Sequence, residues 1–292
     1  MKVSVSTYSF NQKIVSGDIT QLDTVRLAHE LGFSAIEVCD IPKDKLDCRE
    51  EYARELREEC DKYGITVTNF VFHADLLNGC EASGSDPERE LERVKGMIDY
   101  AALIGSPSVR HDALWSLGSF RSFDAALPVI AERAREIAEY GKERGLRTTV
   151  ENPVYICQDP DRMERLYNAV DHDNFGILCD IGNFMVNDFD SARAVALVAP
   201  YTTYVHAKDF YFKSGSSVDT PGSGFLRTRA GNLLKGAPIG HGCVPVTACL
   251  GILKKAGYDG YVTVEYEGAE DCIKSLTIAK SNLERYIGSF NS

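Results

Sequence analysis

Short apolar or β-branched runs recur along the whole chain, and each is followed by a stretch whose apolar residues return every three to four positions. The runs are VSVST (3–7), AIEVC (35–39), ITVTNFVF (65–72), SVR (108–110), RTTV (147–150), FGILCD (175–180), TTYVHAK (202–208) and YVTVE (261–265). From the second run to the seventh, their ends fall about 30 to 40 residues apart, the length of a strand, a crossover helix and a return. Strands alternating with helices in this way pair in parallel through right-handed crossovers, as an open sheet or closed into a barrel. Eight such units fit one α/β domain of the (β/α)8 kind, so a length of 292 residues does not require two domains.

The helical stretches carry their own start and stop signals. Asp159 is a good N-cap with Pro160 at the first helical position, and Met163, Leu166, Tyr167 and Val170 follow at i, i+3, i+4 and i+7. Leu127, Ile130, Ala131, Ala134, Ile137 and Ala138 share one face of another helix, and Ile273, Leu276, Leu283, Tyr286 and Ile287 one face of the last. Gly32, Gly64, Gly105, Gly145 and Gly257 each stand where a helix should end before the next strand. One connection breaks the rhythm. Residues 209–243, after the seventh strand, are rich in Gly, Ser and Arg, and a segment of that length without regular structure reads as a lid or binding loop. Phe210, Phe212, Phe225, Leu226, Leu233 and Leu234 give it something to pack.

Composition narrows the functional classes. Forty-three Asp and Glu against 32 Lys and Arg leave a net charge of −11, and no basic run or Lys/Arg stripe with interleaved aromatics is present, which argues against a nucleic-acid partner. No stretch approaches the ~18 apolar residues of a membrane span, and MKVSVSTYSF turns polar too soon for a signal peptide, so a cytoplasmic protein is expected. Nine cysteines without a CxxC pair fit neither a disulfide framework nor a thiolate zinc site; reduced, mostly buried thiols are expected.

In a βα-barrel the side chains at the C-terminal ends of the strands face a shared mouth, where active sites sit. Those positions hold His73, His111 with Asp112, Glu151, Asp180, His206 with Lys208, and Glu265. Alternation supports two of them: if Glu265 points inward so do Thr263 and Tyr261, and Glu151 goes with Thr149 while Val150 faces out. Glu151, Asp180, His206 and Glu265 together make an oxygen-rich set with one imidazole. Such a set suits one divalent cation, Mn, Mg or Co, with Zn also within its reach and with positions left open for substrate. Without a cation, several carboxylates in one cavity would repel and one would stay protonated.

The pieces TVENP, CDIGN, VHAKD and VTVEYEG around these four residues, with GAPIGHGCVPV before the seventh helix, resemble the xylose-isomerase-like TIM barrels. That group contains sugar isomerases, ketose 3-epimerases, inosose dehydratases and apurinic endonucleases, and the resemblance covers nearly the whole chain. It implies that Glu151, Asp180, His206 and Glu265 hold the metal and that Glu151 and Glu265 also carry the protons. Two positions depart from the epimerase pattern: Asn183 stands where many relatives have a histidine, and Cys157 and Gln158 where an additional glutamate is common. His73 and His111 match zinc-binding positions of the endonucleases, but the rest of that ligand set is absent apart from His241 and Asp219 in the long loop.

The remaining polar residues of the mouth divide between substrate and scaffold. His111 is expected to donate to substrate or to act as acid or base; His73 is read as a mouth residue or a structural hydrogen bond. Lys208 should touch substrate or pair with Asp209 or another carboxylate, and Trp115 should wall a sugar site or fill core. Arg227, Arg229 and the Gly240-His241-Gly242 turn suit either a phosphate seated on backbone N–H groups or a lid whose arginine reaches sugar hydroxyls. The expected activity is isomerisation or epimerisation of a monosaccharide or keto-sugar derivative. A lyase or dehydratase acting on an inosose or 3-keto glycoside, or a non-catalytic sugar-binding subunit, is the alternative. A small sugar is the expected partner, and a homo-dimer or tetramer is expected by analogy.

Overall fold

The computed structural model describes residues 1–152, 156–216 and 221–290. Its barrel strands are β1 (Lys2–Ser6), β2 (Ala35–Cys39), β3 (Thr66–Val71), β4 (Ser108–His111), β5 (Arg147–Glu151), β6 (Phe175–Asp180), β7 (Thr202–Ala207) and β11 (Tyr261–Val264). All pair in parallel in the order β1-β11-β7-β6-β5-β4-β3-β2, and β1 pairs with both β2 and β11, which closes the (β/α)8 barrel. The helices outside it are α1 (Asn11–Val15), α2 (Asp23–Glu30), α3 (Arg49–Tyr63), α4 (Pro87–Leu103), α5 (Phe123–Glu143), α6 (Pro160–Val170), α7 (Ser191–Val198), α8 (Val246–Lys255) and α9 (Cys272–Gly288). None is long and apolar enough to cross a membrane.

Local chemistry explains where these helices start and stop. Asp86 opens α4 by accepting from the amides of Glu88 and Arg89 at 2.9 and 3.3 Å, with Pro87 at the first helical position, and Ser122 caps α5 through the amide of Ala125 at 3.2 Å. The five stop glycines all adopt φ between +65° and +93°, where a Cβ would clash with the chain's own backbone. Asp159 departs from its expected role. It precedes α6 but its side chain makes no cap bond, because the Arg229 guanidinium takes the carboxylate at 2.8 and 3.1 Å and Asn187 donates to it at 2.8 Å. Two charge-assisted bonds outweigh one to a backbone amide.

Alternation along the strands separates two environments. Val150, Val205, Val262 and Val264 face the helices and are fully buried. Inside, the barrel is lined with hydroxyl groups: Thr263 meets Ser4 and Tyr204, each at 2.6 Å, and Tyr204 meets Thr68 at 2.7 Å. These bonds satisfy polar atoms that would otherwise cost free energy in a dry interior.

The segment 209–243 is not a structureless loop. Its described residues form β8 (Asp209–Lys213), β9 (Leu226–Arg227) and β10 (Leu233–Ala237), an antiparallel sheet in the order β8-β10-β9. Asp209 pairs with Ala237 and Lys213 with Leu233. Phe210 and Leu234 anchor the flap in the core, while Phe212 remains exposed. Strands of two to five residues separated by Gly- and Ser-rich turns are too short to show a period in sequence.

Candidate metal centre

The ends of β5, β6, β7 and β11 bring Glu151, Asp180, His206 and Glu265 together, all buried, with one ligand atom of each within 4.8 Å of every other. The imidazole shows what the cluster can hold. His206 Nε2 lies 2.8 Å from the Glu37 carboxylate, so the ring proton belongs there and the Nδ1 lone pair points into the cluster. Nδ1 is buried without a hydrogen bond, and its neighbours at 3.5 and 3.7 Å are oxygens of Glu151 and Glu265. A lone pair facing carboxylates is repelled unless a cation or a proton sits between them, so the donor set fits one divalent ion.

The orienting residues are as ordered as the ligands. Glu37 also accepts from Asn69 Nδ2 at 3.0 Å, and Asn69 accepts from Ser108 at 2.7 Å, so a polar chain inside the barrel fixes the imidazole. Asp180 accepts from the amides of Gly182 and Asn183 at 2.8 and 3.1 Å, leaving Oδ2 to face Lys208 at 3.3 Å. Asn183 donates to Glu151 at 3.1 Å and accepts from Lys208 at 3.3 Å. Lys208 pairs with Glu265 at 2.7 Å and Glu267 at 3.2 Å, and Arg110 pairs with Glu151 directly and with Asp112 at 3.1 Å.

These contacts set the charge states of the cluster. Burial would raise the Glu151 carboxyl, but Arg110, helped by His206 and Lys208, holds it well below the usual carboxylate range. Burial likewise opposes ionisation of Glu265, and Lys208 and His206 override it. Asp180 is pushed up to about 7 by burial, with Lys208 opposing and Glu151 and Glu265 adding to the rise. His206 is raised against its own burial by Glu37 and Glu265.

The chain matches the family model described as the xylose isomerase-like TIM barrel over residues 25–287. It belongs to the xylose isomerase-like TIM barrels. A putative hydroxypyruvate isomerase of Streptomyces coelicolor is 26% identical over 280 residues, covering 90% of this chain and 91% of its own. The IOLI protein with a bound zinc atom superposes with a TM-score of 0.75 at 17% identity over 99% of each chain. The probable 3-DHS dehydratase AsbF from Bacillus anthracis does so with a TM-score of 0.72 at 19% identity, over 97% of this chain and 98% of that one. Other solved structures of the fold include epimerases and a complex with magnesium.

In this xylose isomerase-like barrel a cavity of about 330 Å³ opens above the cluster, lined by Arg110, Glu151, Lys208 and Glu265 and walled by Trp115, His73 and Asn183. Trp115 is 41% exposed and meets His73 edge-on at 5.3 Å, so it walls the cavity rather than filling core. Lys208 pairs with carboxylates of the cluster and not with Asp209. His111 is placed elsewhere than expected: it is fully buried, its Nδ1 donates to the Asp112 carbonyl at 3.0 Å, and its ring lies 6.4 Å from that of Phe72. β4 runs one residue further than its sequence suggests, and alternation from buried Val109 turns Arg110 into the mouth and His111 out.

The arginine and glycine positions of the flap also lie away from the cavity. Arg227 sits exposed on β9 and His241 exposed on its turn, while Arg229 binds Asp159. The backbone nest that could have held a phosphate holds a carboxylate of the chain itself: Asp209 accepts from the amides of Gly240, Gly242 and Val244 at 2.9, 2.9 and 3.0 Å. Asp219 lies outside the described residues. Arg110, Glu37, Glu267 and Tyr8 are functional candidates that sequence reasoning missed. A charged side chain in the middle of an apolar strand was the available signal for Glu37, and strand parity the signal for Arg110.

Proposed function

We propose that the protein is a divalent-metal-dependent isomerase or epimerase of a monosaccharide or keto-sugar derivative, working by proton transfer at the carbon next to a carbonyl. The observation that carries this reading is the pair of buried glutamates, Glu151 and Glu265, reaching one cavity from β5 and β11 on either side of His206. A bound divalent cation would polarise the carbonyl and a neighbouring hydroxyl of the sugar. Glu265, ionised and steadied by Lys208, and Glu151, ionised and steadied by Arg110 and Asn183, can each take or return a proton at the carbon between them. Three carboxylates to one imidazole favour Mn, Mg or Co, and a cavity of about 330 Å³ suits a single sugar. Free thiols throughout the described residues support a reducing, cytoplasmic setting.

The test is solvent deuterium wash-in at the carbon beside the carbonyl, over a panel of ketoses, inososes and 3-keto sugars with Mn²⁺, Mg²⁺ or Co²⁺. Glu151→Gln and Glu265→Gln should each cut turnover by about 100-fold or more. If both variants keep wild-type turnover, the two-glutamate reading is wrong; sugar binding without any exchange would favour a non-catalytic subunit.

A further inference from the structure

A second cavity, of about 640 Å³, lies beside the first and shares Tyr8, Cys39 and His73 with it. Three side chains of fixed positive charge line it: Lys43 at the start of a 3-10 helical turn (Lys43–Cys48), Arg49 at the start of α3, and Arg93 on α4. Arg93 is anchored. Its Nε and Nη2 donate to the fully buried Glu90 at 2.9 and 2.8 Å, and Nη2 donates also to the His73 carbonyl. Nη1 is left without a partner among the described residues.

Arg49 reaches across to the same helix. A Cβ at Gly96 would stand 3.4 Å from Arg49 Nη1, so the missing side chain makes the room in which this guanidinium lies, one helical turn along from Arg93. Glycine is a poor helix former, and in the middle of α4 its place is explained by that contact. Neither Arg49 nor Lys43 has a side-chain hydrogen bond or ion pair with any described residue. Asp40, the one acidic residue in this lining, pairs with none of the three. Like charges gathered without a carboxylate between them repel, and an anion seated among them removes the repulsion. Buried Ile41 and Met97 form an apolar side of the cavity, which strengthens the field there.

We propose that the second cavity is the subsite for an anionic group of the substrate, a phosphate or a carboxylate at the end remote from the carbonyl, so that the substrate is a sugar phosphate or a sugar acid. This rests on the proposed function, which puts the carbonyl over the metal cluster. Because Tyr8, Cys39 and His73 belong to both cavities, a sugar chain passing them joins the Glu151 and Glu265 carboxylates to the Arg49 and Arg93 guanidinium groups. Guanidinium and ammonium donors bind oxyanions by charge-assisted hydrogen bonds. The other places suited to a phosphate are taken by the chain itself, Arg229 by Asp159 and the Gly240–Gly242 turn by Asp209.

The experiment follows deuterium exchange beside the carbonyl with the Mn²⁺-loaded protein, on ketopentoses and ketohexoses, their terminal phosphates and the corresponding terminal carboxylates. At least one charged series should exceed its neutral parents in kcat/KM by about 30-fold or more, through KM. A preference for the phosphates alone identifies phosphate as the group, and one for the carboxylates alone identifies carboxylate. Lys43→Gln combined with Arg49→Gln changes two exposed side chains. It should raise KM for the charged substrate by about 30-fold and for its neutral parent by less than about 3-fold. Gly96→Leu keeps every charge but displaces the Arg49 guanidinium, and should raise KM for the charged substrate by about 5-fold. Equal KM for neutral and charged sugars, or a preference that survives the double substitution, would overturn the subsite and leave the proton-transfer reading intact. If no sugar exchanges, the proton-transfer reading fails, and calorimetric titration with inorganic phosphate and with acetate decides the subsite by itself. Tighter binding of either by the unmodified protein than by the double variant supports it; equal binding of both overturns it.

Discussion

His206 presents a lone pair to three carboxylates because Glu37 holds the opposite ring nitrogen and Asn69 holds Glu37. Glu37→Gln removes the charge that fixes this tautomer, so metal affinity should fall by about 10- to 100-fold, measured by calorimetric titration with Mn²⁺. Asp180 makes affinity pH-dependent. Its carboxyl is pushed up to about 7 by burial, so below that pH a proton on Asp180 competes with the cation, and above it only the proton that Glu37 and Glu265 favour on His206 is left to displace. Affinity should therefore weaken as pH falls through about 7, with proton uptake or release visible as a dependence of the titration heat on buffer. Sequence position marked the four residues of the cluster because strand ends are predictable. It did not mark Arg110 over His111, since the strand read as ending at Arg110 left His111 to the mouth, whereas β4 continues through His111 and alternation turns that side chain out.

At the scale of elements, the flap of β8, β9 and β10 is fastened at two places: Arg229 to Asp159 at the start of α6, and Asp209 inside the turn before α8. Asp209 is 1% exposed and accepts four backbone amides, counting its bond to Phe210 at 2.8 Å. Asp209→Ala would leave these donors without an acceptor. It should cost about 2 to 4 kcal/mol in denaturant unfolding and speed amide exchange across the flap and the turn. Gly242 is required there, because a Cβ would stand 2.2 Å from the Asp209 carboxylate. The glycines of this turn were legible as a nest for an anion. That the anion is a side chain about thirty residues earlier in the chain was not, because nothing local links Asp209 to the turn.

For the whole molecule, the acidity of the chain acquires a location. Part of the net charge of −11 is gathered at the mouth, where Glu151, Asp180, Glu265 and Glu267 face the cationic groups Arg110, Lys208 and His206. A divalent ion bound there would act on the folded state alone, so at a concentration 100 times its dissociation constant it should add about 2.7 kcal/mol of stability. EDTA should lower the midpoint of thermal unfolding by about 5 to 10 °C, and Mn²⁺ should restore it.

The order of the barrel strands and their helices, the five glycine stops and the four strand-end residues of the cluster were set by local chemistry: periodicity, capping and left-handed backbone can be read from neighbours in the chain. The closure of the barrel, the turning of Arg110 into the mouth, the support of His206 by Glu37 and the filling of the Gly240–Gly242 nest by Asp209 were decided only in the tertiary structure. Each joins residues that the chain separates, and each depends on burial and on which face of a strand a side chain takes, quantities that exist only once the barrel has closed.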